Sequence, residues 1–212
     1  MPQWQTTHFL LDLKRPLIMG IVNNTPDSFS DGGKYQGQRA LQHAEQLIKD
    51  GADILDIGGE STRPGSPAVP LEEELARVLP VVQEAVRLGV AVSVDTYKPQ
   101  VMQAVLDLGA DIINDVWGLR QPGAQDVVAA HHSCGVCLMH MHQTPQNMHL
   151  QHMQGDAVPQ VCDFLLRETQ ALLDRGVARN RIVWDYGIGF GKSVPQNFAL
   201  LARQAELLDL DF

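Results

Sequence analysis

The stretch Gly51-Ala-Asp-Ile-Leu-Asp56 returns, nearly unchanged, as Gly109-Ala-Asp-Ile-Ile-Asn114. Each copy sets a helix-ending glycine before a turn and a short apolar run tipped by a carboxylate or an amide. The same rhythm runs outward from these two copies. Val22 passes to Asn23 and Asn24, Ile57 to Gly58, Gly59 and Glu60, and Val94 to Asp95. Ile113 passes to Asn114 and Asp115, Met139 to His140, and Trp184 to Asp185. In a (β/α) barrel the C-terminal ends of the parallel strands converge on one mouth, which holds the active site. Repeated apolar runs with polar tips therefore describe an enzyme pocket.

Strands are predicted over Leu17–Val22, Ile54–Ile57, Val90–Val94, Asp111–Ile113, Val136–Met139 and Arg181–Trp184. They are short, continuous and rich in Ile and Val, as strands buried on both faces should be. Between them, Ala40, Leu41, Ala44, Leu47 and Ile48 share one face at helical spacing. Leu71, Leu75, Val78, Leu79 and Val82 do the same, as do Val101, Val105 and Leu108. Further helices are predicted near Ala124–His132, Val158–Arg175 and Gln196–Leu207. Strict strand–helix alternation implies parallel βαβ units. Six units are present, whereas a closed barrel has eight strands over about 250 residues. The fold is therefore either an open α/β sheet or a (β/α)8 barrel with about six of its eight units in residues 1–212, a single domain incomplete at its C-terminus.

At 212 residues the chain can bury one sizeable core. Its 44% hydrophobic and 19% charged content is ordinary for a globular protein. A net charge of -9 argues against binding nucleic acid or an anionic membrane, both of which need a basic surface. Met1-Pro2-Gln3-Trp4 does not begin a signal peptide, and no apolar run reaches the roughly 20 residues needed to span a bilayer. The expectation is a cytoplasmic protein. Cys134, Cys137 and Cys162 cannot form a disulfide framework. Cys134-Gly-Val-Cys137 has CxxC spacing but bridges a helix end into a strand, unlike a redox thiol set at a helix N-terminus. It reads as structural.

Several constellations can carry chemistry. The loop Asn23-Asn-Thr-Pro-Asp-Ser-Phe-Ser-Asp-Gly-Gly33 surrounds Phe29 with hydrogen-bonding groups. Loops this long in a compact domain are usually functional or mobile. Glu60-Ser-Thr-Arg-Pro-Gly65 places a guanidinium beside two hydroxyls, a local anion site in an acidic chain. Asp95, Asn114 and Asp185 come from three strand tips and suit a ligand with a donor-rich heterocyclic edge, since a carboxylate accepts two parallel N–H bonds. Each of them alone could instead be a helix cap. Gly187-Ile-Gly-Phe-Gly-Lys-Ser193 is not a Walker loop, because position 186 is Tyr186, nor a dinucleotide loop, because position 192 is Lys192. It lets backbone approach a ligand, with Phe190 as a stacking surface. His140-Met-His142, with His149 and His152 nearby and Asp185 as a further ligand, leaves a zinc site open as an alternative.

Six stretches together resemble dihydropteroate synthase, the folate-pathway family that sulfonamides target. They are IMGIVNNTPDSFSDGG from Ile18, GADILDIGGESTRPG from Gly51, SVDTYKP from Ser93, GADIINDV from Gly109, CLMHM from Cys137 and DYGIGFGK from Asp185. The resemblance implies a pterin-binding TIM barrel and a transferase. A dihydropterin carrying a CH₂-pyrophosphate would lose pyrophosphate, and the amine of 4-aminobenzoate would attack the resulting carbon. By matching position, Asp95, Asn114 and Asp185 would hold the pterin edge, and Met139, Gly189 and Phe190 would wall the ring. Asn23 would place Mg²⁺ with the pyrophosphate, and Arg63 would bind that leaving group. Thr62, Pro64 and Phe29 would shape the aminobenzoate pocket. Asp95, Arg63 and Asn23 are thus expected to carry the chemistry, in a homodimer when full length.

The chain departs from the family pattern at Asn24, usually apolar, and at Tyr186, usually Pro. The family's strand-seven Ser and Lys and strand-eight Arg and His have no counterpart before Phe212, and Lys192 is a poor positional substitute for that Lys. The alternatives are a non-catalytic pterin binder or inactive homologue, or a zinc-dependent barrel hydrolase built on His140 and His142.

Overall fold

A computed structural model describes residues 3–25, 36–63 and 65–208. The chain opens with an antiparallel hairpin, β1 (Gln3–Gln5) and β2 (Leu10–Asp12). It then alternates β3 (Met19–Asn23), α1 (Gln36–Lys49), β4 (Ile54–Gly58), α2 (Leu71–Ala85), β5 (Ala91–Asp95) and α3 (Pro99–Asp107). β6 (Ile112–Asp115), α4 (Ala124–Ala130), β7 (Gly135–Met139), α5 (Ala157–Asp174), β8 (Ile182–Asp185), α6 (Val194–Ala202) and α7 (Gln204–Leu208) follow. Strands β3 to β8 form one all-parallel sheet in sequential order, so every polar tip lies along the same end.

The two faces of the sheet carry different cores, because side chains alternate with period two. Val22, Leu55, Ile57, Val92, Val94, Ile113, Val136 and Leu138 point outward and are buried under the helices. The helix periodicity is realised there. Val78, Val81, Val82 and Ala85 of α2 are buried, while Leu71, Leu75 and Leu79 pack partly covered beside them. The inner face holds a smaller cluster of Ile54, Ala91, Ile112 and Cys137, floored by Trp4 from the hairpin. Trp4 donates from its indole nitrogen to the Arg181 carbonyl at 2.9 Å. A Cβ on Gly135 would stand 3.0 Å from that nitrogen, so glycine is what allows β7 to pass the ring. Asp111 latches the hairpin by accepting from the His8 backbone N–H at 2.9 Å. The sequence reading missed this hairpin, since two three-residue strands carry no usable periodicity and gain their stability from the floor they cover.

Two predictions of local structure are corrected. Burial on both faces holds along β4 and β7, but β3 and β8 are the edges of the sheet among the described residues. Ile21 is therefore 48% exposed, and Asp185 is exposed. The predicted helix over Gln196–Leu207 is divided at Arg203 into α6 and α7. The guanidinium of Arg203 ties this break to Asp156 and Glu206. Cys134 and Cys137 are both free and buried, and burial holds the Cys137 thiol well above its usual range, as suits a structural role. Among the described residues no helix is long and apolar enough to cross a membrane.

Candidate functional site

The parallel register builds the site. It aligns Asn23 with Gly58, Gly58 with Asp95, Asp95 with Asn114, and Asn114 with Cys137. One step further along, Met139 pairs with Asp185. All these residues fall on the inner face, so sheet geometry brings Asn23, Asp95, Asn114, Met139 and Asp185 to one concave mouth. Phe29 and Pro64 lie outside the described residues.

One side of the mouth is a cavity of about 290 Å³ lined by Asn23, Asp56, Ser61, Thr62, Arg63 and Asp95. Here the tip of β3 and the Ser61–Arg63 loop meet. The Arg63 side chain is exposed and makes no ion pair with the described residues, which leaves its guanidinium available to an anion. The loop crosses the mouth, and the Gly65 N–H reaches the Pro145 carbonyl at 3.0 Å.

Behind this loop lies a polar network that the sequence reading did not identify. The Lys98 ammonium is held between the carboxylates of Glu60 and Glu74. The Tyr97 hydroxyl donates to Glu60 at 2.8 Å and the Thr96 hydroxyl to Glu74 at 2.6 Å. Tyr97 in turn stacks on Trp117 with ring centroids 4.7 Å apart. Glu60 is thereby anchored three residues before Arg63. A charged trio with every member paired is the condition under which burial is tolerated.

The centre of the site is a second omission. Asp56 lies on the inner face of β4 and is 4% exposed. It accepts from the Ser93 hydroxyl at 2.6 Å and from the Asn114 amide at 3.1 Å. A carboxylate offers only acceptors, so Asn114 must turn its NH₂ toward Asp56 and present its carbonyl oxygen elsewhere. A carboxylate inside an otherwise apolar strand, two residues before the tip, was the available signal. Burial raises the Asp56 carboxyl pKa against these two hydrogen bonds. Asp95 opens to the cavity but is otherwise enclosed. Burial and the charges of Asp56, Asp115, Glu74 and Glu60 push it well above the carboxylate range. Asp115 faces away and accepts from the Trp117 and Leu119 N–H groups at 2.7 and 2.8 Å.

On the other side of the mouth, Met139 joins Val116, Met141 and Met148 in an apolar cluster against which Phe190 and Trp117 pack. Asp185 accepts from the Gly187 N–H at 2.7 Å. Lys192 is buried, and its ammonium donates to the carbonyls of His140, Gly187 and Phe190 at 3.0, 2.7 and 3.2 Å. His140 is buried edge-on to Phe164, and burial pushes its imidazole pKa down to about 3. Among the described residues no three His, Cys, Asp or Glu side chains gather to hold a metal, so the His140/His142 pair does not complete a zinc set.

The family model described as pterin binding enzyme matches residues 19–210. Dihydropteroate synthase of Neisseria meningitidis serogroup C is 48% identical over 208 residues, covering 97% of this chain and 74% of that protein. The Escherichia coli (strain K12) enzyme is 46% identical over 92% of this chain and 70% of its own length. This chain belongs to the dihydropteroate synthase family. Dihydropteroate synthase from Xanthomonas albilineans, solved with 4-aminobenzoic acid, superposes with a TM-score of 0.90 at 47% identity, covering 99% of this chain and 75% of that one. The Burkholderia cenocepacia dihydropteroate synthase, complexed with 7,8-dihydropteroate, gives 0.86 at 50% identity over 96% of this chain and 70% of its own. The likeness to dihydropteroate synthases therefore covers all six βα units, and the fold is that family's TIM-barrel type.

Proposed function

We propose that the chain condenses (7,8-dihydropterin-6-yl)methyl diphosphate with 4-aminobenzoate, releasing diphosphate to give 7,8-dihydropteroate. The observation that carries this reading is the inner face of acceptors: the Asp95 and Asp185 carboxylates and an Asn114 amide turned by Asp56. An aminopyrimidine edge presents several N–H donors side by side and would satisfy such a face. Met139, Gly189 and Phe190 would flank the flat ring.

The diphosphate end would then lie toward Asn23 and Arg63 in the 290 Å³ cavity. The amide of Asn23 has no hydrogen bond to the described residues, and Asp95 lies on the same wall. One or two protein oxygens completed by phosphate and water are what Mg²⁺ ordinarily takes, so the donors fit that ion. When bound, Mg²⁺ would neutralise charge gathering on the departing diphosphate. Arg63 would hold the same oxygens. The C–O bond breaks with its electron pair leaving on diphosphate, and the amine nitrogen forms the C–N bond to the carbon left electron-poor. The amine's proton passes to the departing diphosphate or to water. Thr62, with Phe29 and Pro64, would seat the aminobenzoate, and the loop crossing the mouth would keep water from the reacting carbon.

The test mixes the protein with dihydropterin diphosphate and Mg²⁺, then adds 4-aminobenzoate while diphosphate is measured. Release that depends on 4-aminobenzoate supports the reading. Pterin binding with no release identifies a non-catalytic binder instead.

A further inference from the structure

We propose that Lys192 is a positioning residue: without touching ligand, its ammonium locks the 187–191 loop to the tip of β7 and so sets the pterin affinity of the Asp185–Phe190 side. This rests on the pterin reading of the site and extends it to a residue to which that reading gives no role.

An ammonium has three donors, and here all three are used. The His140 carbonyl lies at the end of β7, and the Gly187 and Phe190 carbonyls lie in the loop after β8. One cation therefore joins two separate segments of backbone. The segments approach too closely for a side chain between them, since a Cβ on Gly187 (φ +63) would stand 1.9 Å from the His140 carbonyl oxygen. Backbone bonds follow the same seam. His140 N–H donates to the Asp185 carbonyl at 3.1 Å, and His142 N–H to the Phe190 carbonyl at 3.4 Å.

Such an approach crowds carbonyl oxygens around one point, where the N–H donors of Lys192 meet them. Burial pushes the Lys192 pKa down to about 7, and the nearby Asp185 charge acts to raise it. Lys192 is 4% exposed, and its donors are already taken by backbone carbonyls rather than offered to the mouth. Asn197 braces the loop from the far side, accepting from Gly189 N–H at 2.8 Å and donating to the Lys192 carbonyl at 3.1 Å. The loop ends thus hold Gly187 N–H on the Asp185 carboxylate at 2.7 Å and Phe190 against the Val116, Met139, Met141 and Met148 cluster. Removing the ammonium frees the acceptor and the stacking ring together.

The experiment uses the full chain carrying Lys192→Met. Binding of 6-hydroxymethyl-7,8-dihydropterin and, separately, of diphosphate with Mg²⁺ is followed by calorimetry, and hydrogen exchange is measured at Phe190 and His142. The proposal expects at least tenfold weaker pterin binding, faster exchange at both amides, and diphosphate affinity within twofold of wild type. A general folding defect would weaken both ligands. Lys192→Gln, which keeps two donors, should fall between wild type and Lys192→Met, and it serves if the methionine variant does not fold. Unchanged pterin affinity in either folded variant overturns the proposal. Wild-type protein that ignores the pterin, behaving like an Asp185→Asn control, would overturn the pterin reading itself and this role with it.

Discussion

Replacing Asp56 by Asn inverts one hydrogen-bonding group in the site while leaving its shape intact. Asp56 takes one bond from Ser93 at 2.6 Å and one from Asn114 at 3.1 Å. The new amide has a single oxygen. If that oxygen keeps the Ser93 bond, the new NH₂ faces the Asn114 NH₂, and Asn114 must rotate its amide to accept. Its own NH₂ then points where its oxygen had been. A pterin edge donating to that point meets a donor, losing one hydrogen bond and burying two opposed N–H groups. The penalty for an unmade buried bond is about 1–3 kcal/mol, which is about 5- to 150-fold in Kd. Stability should change little, because burial already disfavours the Asp56 charge. Calorimetric titration with a dihydropterin reads the first effect and thermal unfolding the second. The double variant Asp56→Asn/Asn114→Asp restores the pairing in reverse: the new carboxylate accepts from Asn at 56 and keeps an oxygen toward the cavity. It should recover most of the lost affinity, a coupling a mutant cycle isolates. Wild-type affinity in Asp56→Asn, or no recovery in the double variant, refutes the reasoning.

Three other outcomes are expected. Arg63→Ala should slow diphosphate release about 10- to 100-fold, the worth of a charge-assisted bond to the leaving group, while binding of a pterin lacking diphosphate stays within twofold; steady-state kinetics beside calorimetry decide this. Trp4→Ala should lower unfolding free energy by about 3–5 kcal/mol in denaturant titrations through loss of the barrel floor, with pterin affinity retained in the folded protein. Burial pushes Asp115 up to about 7 from 3.8, so the native state binds its proton as pH falls through 7 whereas the unfolded chain waits until about 4. Unfolding free energy should therefore rise as pH drops across that window, by up to about 1.4 kcal/mol per unit, and Asp115→Asn should remove that component of the slope.

How much was legible in the chain depends on the range of the interaction. Short continuous apolar runs alternating with helical patterns revealed all six parallel strands to within a few residues, because a strand buried under helices must be apolar wherever it faces them. The Asp95, Asn114 and Asp185 tips stood out as polar residues closing apolar runs. Asp56 did not, because its significance lies in Ser93 and Asn114, which β5 and β6 bring beside it. Lys98 carried no signal in the sequence, because Glu60 and Glu74, which enclose it, come from two other segments.

The amino-acid sequence by itself determined the alternation of elements, the polar mouth and the family, since each is written in local pattern or in contiguous motifs. Only the tertiary structure decided which way Asn114 turns its amide, that Lys192 serves backbone rather than ligand, and that a short hairpin floors the sheet. These depend on partners far apart in the chain, and hydrogen-bond direction exists only once the donor and acceptor have been brought together.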